Sequence, residues 1–470
     1  MTILHAFAER VAMHPGRAAI IDGKGHATDY ATLDARGRAL AAHWSTRIGA
    51  GDHVLLALPV TADLYAVLAA LWRLGAVAVL PEPALGLAGL RHALAAAAPR
   101  AWIGGGWLRW LPLAVPALWR VPRLRLDAPA GDAPLPDWHD DHPALMSFTS
   151  GSTGRPKAIV RSHGFLAAQN AAVAPLLASD RPETDLVGFP VFVLANLASG
   201  VTSVLPNWPL RRPDRARAET IRDHLARHGV TRLLLPPALA ETLADAPLPA
   251  GVDRLFTGGG PIYPDLLDRL VAHNPALRIV AVYGSTEAEP IAECELSSLS
   301  AEDRDAMASG GGLLAGHAAA GTCVRIVDDE IRVAGDHVVS SYLDPADDVT
   351  TKVRDADGTI WHRTGDGGRF DSDGRLWLRG RLAGRCAGLW PFEIEVAARA
   401  WPGVRAAALA PVEDRPVLAI EGDATHAHAW TARAEALGVA RVVPLARIPL
   451  DRRHRSKIDY TALDRLLERR

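Results

Sequence analysis

Apolar positions along the chain follow a helical period and then a short extended run, and the two patterns alternate through the first three quarters of the sequence. The stretch AETIRDHLARHGVTRLLLPP (218–237) predicts an amphipathic helix that stops at Gly229, followed by a strand that two prolines end. The stretch VDRLFTGGGPIYPDLLDRLVAH (252–273) has the reverse order, with a strand, a glycine turn and a helix beginning near Pro264. Repeated units of this kind predict an α/β fold with mostly parallel sheets covered by helices, and ligands at the carboxyl ends of the strands.

The pattern changes to short strands from about residue 322, as in TCVRIVDDEIRVAGDHVVSSYL (322–343) and GRLWLRGR (374–381). After Arg381 the chain becomes glycine-spaced, then helical, and ends in a small mixed module. We therefore predict a large N-terminal domain (1–381), with layered parallel sheets and a β-rich subdomain. A small, mobile α+β C-terminal domain (382–470) follows it.

Composition and charge narrow the class of partner. The 470 residues carry a formal net charge of −2, with 49% hydrophobic and 22% charged residues. This overall balance does not call for nucleic acid or an anionic membrane surface, and it favours a small-molecule partner. Lysine occurs only at positions 24, 157, 352 and 457, so arginine supplies nearly all of the 51 basic residues. Because ammonium and guanidinium groups are not interchangeable at phosphates, Lys157 and Lys457 are candidates for functional point charges.

Cysteines and apolar stretches bear on the compartment. Cys294, Cys323 and Cys386 are widely separated and match no zinc spacing, which predicts a reducing compartment and no zinc site. The first residues do not form a signal peptide, and the most apolar stretch is interrupted by Arg73 and Gly75. We expect a cytoplasmic protein without a transmembrane segment.

The segment SFTSGSTGRPK (147–157) is a candidate phosphate site. Clusters of Gly, Ser and Thr are usually ordinary loops. Here, however, glycines would free backbone N–H groups to converge, hydroxyls would add donors, and Lys157 would supply charge, as in an anion-binding nest. A Walker A loop would need GxxxxGK[ST], whereas Arg-Pro-Lys-Ala follows Gly154, which disfavours a kinase or hydrolase P-loop.

Five segments in order resemble the adenylate-forming superfamily of acyl-CoA synthetases, adenylation domains and luciferases. They are FTSGSTGRPKAIVRSHG (148–164), TGGGPI (257–262), VYGSTEAEP (282–290), HRTGDGGRFDSDGRLWLRGR (362–381) and RSKIDY (455–460). The resemblance spans essentially the whole chain. It implies ATP and Mg²⁺ as cofactors, a carboxylic acid as substrate, and cleavage between the α- and β-phosphates to give an acyl adenylate and pyrophosphate.

The resemblance also implies the site residues. Those implied for the nucleotide are Thr149, Ser150, Gly151, Ser152, Thr153, Gly154, Lys157, Gly258, Gly259, Gly260, Tyr283, Gly284, Ser285, Asp366 and Arg381. Thr286 would donate to an α-phosphate oxygen, Glu287 would be the Mg²⁺ ligand, and Lys457 would be the catalytic cation from the small domain. Each of these residues also has a purely structural interpretation. Tyr283 fits a buried core tyrosine, and Thr286 with Glu287 fits an exposed cap pair. Asp366 fits a turn-stabilising aspartate, and Lys457 fits a solvated basic run.

The chain departs from the superfamily in two places. Ala383 replaces the usual aspartate hinge, and FEIE (392–395) arrives about four residues early, which puts transfer to CoA in question. The stretch FPVFVLANLASGVTSVLP (189–206) contains no acid, so it disfavours an amino-acid substrate and suits an acyl or aryl carboxylate. Together with DRRHRSKID (451–459), these features resemble the β-lactone synthetases of bacterial olefin biosynthesis, which act on β-hydroxy acids.

Three alternatives remain open from the sequence. A ligase that delivers the acyl group to CoA or to an acyl carrier protein would also suit a shortened loop. A kinase or hydrolase would release ADP in place of AMP. A nucleotide-binding protein without chemistry would bind ATP but not turn it over.

Overall fold

A computed structural model describes residues 1–82, 85–149, 156–209, 215–451 and 456–468. The strands are β1 (Ala18–Ile21), β2 (Ala27–Asp29), β3 (His53–Ala57), β4 (Val77–Leu80), β5 (Ala101–Gly104), β6 (Arg123–Leu124), β7 (Pro143–Thr149), β8 (Lys157–Ser162), β9 (Thr184–Val187), β10 (Thr202–Val204), β11 (Arg232–Leu235), β12 (Arg254–Gly258), β13 (Arg278–Ser285), β14 (Ala288–Glu295), β15 (Leu313–Ala318), β16 (Cys323–Val327), β17 (Glu330–Ala334), β18 (Lys352–Arg354), β19 (Ile360–Phe370), β20 (Leu376–Arg381), β21 (Val404–Val412), β22 (Arg415–Gly422) and β23 (Arg441–Leu445). The α-helices are α1 (Ile3–Met13), α2 (Tyr30–Trp44), α3 (Ala62–Arg73), α4 (Gly86–Ala97), α5 (His163–Leu177), α6 (Phe192–Ser199), α7 (Ala218–Arg227), α8 (Pro237–Leu243), α9 (Pro264–His273), α10 (Ala301–Ala308), α11 (Pro391–Arg399), α12 (Ala427–Ala436) and α13 (Tyr460–Leu467).

Local sequence signals account for many of these boundaries. The side chains of Asp29 and Ser162 accept hydrogen bonds from backbone N–H groups in the first turns of α2 and α5. Ser300 begins α10 with a reciprocal capping box to Asp303. Pro264 occupies the first turn of α9, where its missing N–H costs nothing.

Two large sheets form the body of the chain. The first has the order β6-β5-β3-β4-β7-β8, and it is parallel except for the antiparallel β7–β8 pair. The second has the order β16-β17-β19-β20-β15-β14-β13-β12-β11-β9-β10-β1-β2, with β18 beside β19. It is parallel from β13 to β1 and antiparallel elsewhere, because the β-rich segment after β13 continues the sheet through hairpins.

The main core lies between these sheets and is filled by α1, α2, α3, α5 and α6. Leu40 and Trp44 of α2 are fully buried there, and Gly37 lets α2 approach Ala69 of α3 closely. Phe256 and Val280 reach the same core from the parallel strands β12 and β13. This packing fixes the two sheets relative to each other, and therefore the strand ends that carry the candidate site.

After Arg381 a one-turn 3₁₀ helix (Leu382–Gly384) leads to α11 and a separate sheet of order β21-β22-β23. Helices α11, α12 and α13 pack on this sheet around Trp430 and Leu463. The predicted α/β fold class is confirmed by the architecture. No helix in the described residues is long and apolar enough to cross a membrane.

Candidate active site

The predicted phosphate segment connects two paired strands. Thr149 ends β7 and Lys157 begins β8, and these two residues face each other in the antiparallel register. Both are largely buried. Ser150, Gly151, Ser152, Thr153 and Gly154 lie outside the described residues. The hairpin therefore brings Lys157 to the carboxyl end of β7, where a parallel-sheet ligand site is expected.

Lys157 lies against an aromatic ring that the sequence analysis did not predict. Its Nζ is 5.0 Å from the ring centroid of Tyr342, and the Nζ of Lys352 is 5.3 Å from the same centroid. The Tyr342 hydroxyl donates a 2.9 Å hydrogen bond to Oε1 of Glu287. Two ammonium groups, one phenol ring and one carboxylate thus form a compact cluster next to the phosphate hairpin.

The cluster favours an ionised Glu287. Burial acts to raise the pKa of Glu287, but the neighbouring His362 and Lys352 and the hydrogen bond from Tyr342 outweigh it, so the pKa is lowered. Burial lowers the pKa of Lys352 to about 8, and it is opposed in part by Glu287. Lys352 also donates to the carbonyl of Val339 and lies 3.2 Å from Nδ1 of His362. Glu287 is therefore an ionised oxygen donor beside the Tyr342 hydroxyl and the Lys352 ammonium.

A two-residue turn carries Thr286 and Glu287. β13 ends at Ser285 and β14 begins at Ala288, and these two residues pair across the hairpin. Arg161 of β8 reaches across from the other sheet and donates 2.6 Å hydrogen bonds to the Thr286 carbonyl and to Oγ of Ser147. Arg161 is itself buried, so this bridge holds the Thr286–Glu287 turn against the phosphate hairpin.

The glycine turn after β12 meets the C-terminal lysine segment. A Cβ on Gly258 would lie 2.7 Å from the Val282 carbonyl oxygen, and one on Gly260 would lie 2.5 Å from Oγ of Ser456. Lys457, the next residue, is exposed, and its backbone N–H donates to the carboxylate of Asp451. The structure thus brings the Ser456–Lys457 segment directly onto the Gly258–Gly260 turn, although some 200 residues separate them.

Tyr283, Asp366 and Arg381 form one polar network. The Tyr283 hydroxyl donates a 2.7 Å hydrogen bond to Oδ2 of Asp366, and Nη1 of Arg381 donates a 2.9 Å bond to Oδ1. Asp366 and Arg381 are direct partners in the β19–β20 ladder. Burial, reinforced by Asp366, raises the pKa of Tyr283 well above its ordinary value, so the phenol stays neutral and donates. These three predicted residues therefore share one corner of the site.

Four buried hydroxyls at the site have no hydrogen-bond partner within the described part of the chain. They belong to Thr149, Thr257, Ser285 and Ser456. Buried polar atoms are normally paired, and an unpaired one carries a free-energy cost. Because these hydroxyls lie at the phosphate hairpin, the glycine turn, the β13 end and the lysine segment, they fit a polar ligand that spans all four places.

A small apolar cavity of about 30 Å³ lies beside the glycine turn. It is bounded by the parallel strands and by helices α5 and α6, and Gly258 and Glu289 also line it. Its main apolar wall consists of Val173, Leu176, Phe189, Phe192, Phe256 and Val282. This lining suits the hydrocarbon part of a small ligand.

Four further residues belong to this site but were given no role from the sequence: Arg161, Tyr342, Lys352 and His362. Lys352 carried a usable signal, because it is one of only four lysines, but nothing adjacent to it suggested a role. Arg161 and His362 lie inside the quoted segments 148–164 and 362–381 but were given no role there, and Tyr342 lies outside the five segments. Only their convergence in space distinguishes them.

A family model of the AMP-binding enzymes matches residues 7–343. Olefin beta-lactone synthetases of Xanthomonas campestris and Stenotrophomonas maltophilia are each 32% identical to the chain, cover 91% and 92% of it, and are themselves covered to 89%. The structure of O-succinylbenzoate coenzyme A synthetase from Bacillus subtilis, in complex with ATP and magnesium ion, superposes with a TM-score of 0.79. That structure is 20% identical and covers 97% of this chain, and the chain covers 98% of it.

The family match and these two relatives show an AMP-forming ligase, an enzyme that activates a carboxylic acid with ATP. The chain belongs to the AMP-binding enzyme family.

Proposed function

We propose that this enzyme converts a β-hydroxy carboxylic acid into a β-lactone in two steps. In the first, a carboxylate oxygen attacks the α-phosphorus of ATP, and pyrophosphate leaves. In the second, the β-hydroxyl oxygen attacks the acyl carbon, AMP leaves with the bridging oxygen, and the hydroxyl proton is released. The observation that carries this proposal is the 32% identity to two olefin beta-lactone synthetases over nearly the whole chain.

The apolar cavity supports a substrate with a hydrocarbon chain. Phe189, Phe192 and Phe256 offer a wall without charge, as expected for an acyl or aryl group. The cavity ends at Gly258, on the same turn that meets Ser456. A chain bound there would present its carboxylate toward the β12 end, where the polar groups converge.

We assign the nucleotide to the predicted residues. The segment from Thr149 to Lys157 would hold the β- and γ-phosphates. The Gly258–Gly260 turn, with the Tyr283–Ser285 segment, would hold the adenine, and Asp366 with Arg381 the ribose. Four hydroxyls without a partner in the described ranges support this assignment, because a triphosphate and ribose would supply hydrogen-bond partners to them.

Glu287 fits a magnesium ligand, and Thr286 a donor to the α-phosphate. Mg²⁺ usually binds through one or two carboxylates together with substrate phosphates, and Glu287 is ionised beside the phosphate hairpin. Mg²⁺ held there would neutralise charge on the leaving pyrophosphate. Arg161 would position this pair indirectly, because its hydrogen bond to the Thr286 carbonyl fixes the turn that carries both residues.

We propose that Lys457 is the catalytic cation and that it belongs to a mobile domain of residues 382–470, distinct from residues 1–381. Negative charge accumulates on the phosphoryl oxygens in the transition state, and a positioned ammonium stabilises it. The contact between Gly260 and Ser456 supports this role, because it holds the neighbouring Lys457 at the nucleotide turn. The exposed side chain of Lys457 is compatible with the role.

The short connection after Arg381 supports an internal acceptor for the acyl group. Trp390 is fully buried, and the guanidinium carbons of Arg379 and Arg385 lie 4.5 and 4.9 Å from its ring centroid. A Cβ on Gly367 would lie 2.1 Å from this ring, so the connection packs tightly on β19. A tethered hydroxyl needs no separate thiol site, because tethering supplies a high effective concentration.

Cytoplasmic ATP would be the natural cosubstrate, and the free thiols of Cys294, Cys323 and Cys386 are compatible with that compartment.

The decisive experiment incubates the enzyme with ATP, MgCl₂ and a 3-hydroxy fatty acid, without CoA or carrier protein. We expect AMP, pyrophosphate and a product lighter than the acid by one water, measured by mass spectrometry. An adenylate that accumulates and disappears only on addition of CoA or an acyl carrier protein would contradict the lactone and identify a thioester-forming ligase. Lys457→Ala should abolish carboxylate-dependent ATP–pyrophosphate exchange, whereas Lys24→Ala, at an exposed lysine outside the site, should not.

A further inference from the structure

Residues 85–126 form a surface that neither the fold nor the proposed reaction explains. They include α4 and two short 3₁₀ helices, Gly106–Leu113 and Pro116–Arg120, which contact each other at the edge of the first sheet. Large apolar side chains on these two helices are exposed. Trp107, Trp110, Leu113 and Trp119 expose 67%, 60%, 72% and 69% of their surface.

The arrangement of these side chains follows from the helix type. A 3₁₀ helix has three residues per turn, so positions 107, 110 and 113 lie in one row along its length. The opposite side is anchored, because Leu108, Val115 and Leu118 are buried in the same cluster as Trp102. The buried side chains therefore hold the exposed row of Trp107, Trp110 and Leu113 in a fixed position on the surface.

Charge on this segment is one-sided. Residues 85–126 contain arginines but no aspartate or glutamate, in a chain whose overall net charge is −2. The structure leaves all of these arginines exposed: Arg91, Arg100, Arg109, Arg120, Arg123 and Arg125. Arg125 pairs with Asp127, just beyond the segment. Arg109 lies over the ring of Trp110, 5.2 Å from its centroid, and Arg120 follows Trp119 directly.

Exposed tryptophans interleaved with arginines match the interface of an anionic phospholipid bilayer. Tryptophan rings favour the headgroup level, where an apolar ring and a polar N–H are both accommodated, and basic side chains are attracted to anionic lipids. A contiguous apolar patch of this kind on a monomer usually marks an interaction site. The absence of acids fits an anionic partner better than it fits a second copy of this nearly neutral chain.

We propose that the Trp107–Trp119 surface docks the enzyme peripherally on anionic phospholipid membranes. The tryptophan row lies in the interfacial region, and the arginines contact the headgroups. This inference does not depend on the lactone, because the surface lies outside the residues assigned to the nucleotide and to the acyl cavity.

Vesicle co-sedimentation tests the surface on the full chain. We expect binding to equimolar phosphatidylcholine and phosphatidylglycerol vesicles, and much weaker binding to phosphatidylcholine alone. Trp107→Ser/Trp110→Ser should lower the partition coefficient by about tenfold or more, because two rings leave the interface. Val349→Ser, at a side chain that is 80% exposed elsewhere, is the matched control and should bind as the wild type does.

The arginines are tested separately. Arg109→Gln/Arg120→Gln should weaken binding to the anionic vesicles by about thirtyfold, since each basic residue near an anionic surface strengthens binding by about fivefold. The salt dependence of binding should fall as well. Arg227→Gln/Arg433→Gln, which removes two exposed arginines elsewhere, is the control. ATP–pyrophosphate exchange without vesicles should be unchanged in all four variants.

Two results would overturn the proposal. One is a wild-type protein that stays in the supernatant with anionic vesicles, or a tryptophan variant that binds them equally well. The other is a dimer in light scattering that the tryptophan substitutions dissociate, since the surface would then be an interface between two copies of the chain. Failure of the lactone assay would leave these vesicle results unaffected.

Discussion

Replacing Gly260 by alanine tests whether the contact with Ser456 controls catalysis. The backbone at Gly260 lies outside the left-handed region, so alanine brings no backbone strain of its own. Its Cβ, however, would lie 2.5 Å from Oγ and 2.8 Å from Cβ of Ser456. Ordinary contacts between such atoms begin near 3.5 Å, so Ser456 would have to retreat by about 1 Å.

This displacement should reach Lys457, the next residue. A misplacement of roughly 1 Å at a catalytic group can cost about 10²-fold in rate, which corresponds to about 2.7 kcal/mol in the activation free energy. We expect Gly260→Ala to lower carboxylate-dependent ATP–pyrophosphate exchange by about that factor, while the thermal midpoint changes little.

The double variant separates this explanation from a direct effect on adenine binding. Ser456→Gly removes the colliding atoms, along with a hydroxyl that has no hydrogen-bond partner among the described residues, so the rate of this variant alone is the reference for the double variant. In Gly260→Ala/Ser456→Gly the exchange rate should return to within a few-fold of that of Ser456→Gly alone. If Gly260→Ala keeps full activity, or if the double variant stays as slow as the single one, the contact does not position Lys457 and the reasoning is refuted.

Three further predictions concern charge inside the protein. Tyr342→Phe removes the hydrogen bond to Glu287. Because hydrogen bonds to charged groups contribute about 1.5–3 kcal/mol, kcat/KM for MgATP should fall by about tenfold or more. An unchanged kcat/KM would exclude a role for this hydrogen bond. Burial raises the pKa of Glu395 to about 7, so the native state holds a proton that the unfolded chain has lost. The unfolding free energy should therefore fall as the pH rises from about 4.5 to 7. Glu395→Gln should flatten this pH dependence in denaturant titrations, and an equal pH dependence in wild type and variant would contradict it. Asp185→Asn leaves Arg232 buried without its charge partner, so the free energy of unfolding in urea should fall by about 3–5 kcal/mol. A decrease below about 1 kcal/mol would mean that the ion pair is not isolated from solvent.

Much of the fold followed from local patterns. The helix and strand around Gly229 lie where the periodicity predicts them, with α7 ending at Arg227 and β11 at Leu235. The helix predicted near Pro264 begins at that residue. The change to short strands after about 322 is equally clear in the structure. These elements were predictable because helix caps, prolines and alternation act over a few residues.

The site was predictable only where its chemistry is written in contiguous segments. Hydroxyls, glycines and Lys157 stand together in one stretch, and Asp366 is recognisable from the Thr-Gly-Asp sequence that it ends. Tyr342 and Lys352 stand in no such segment, and Arg161 stands in one without any sign of its role, because the roles of all three depend on partners from other parts of the chain. The exposed tryptophans were likewise hidden by overall composition, since an average over the chain conceals one basic, acid-free segment.

The order of apolar and polar residues by itself determined the fold class and the strand-end turns, and the resemblance of five segments to the adenylate-forming superfamily named most candidate groups. The tertiary structure alone decided which of them meet: the Tyr342 ring between two ammonium groups, the Arg161 bridge between the sheets, and Ser456 against Gly260. The physical reason is range. Capping, turn formation and periodicity act within a few residues, whereas these contacts join strands brought together by burial of a common core.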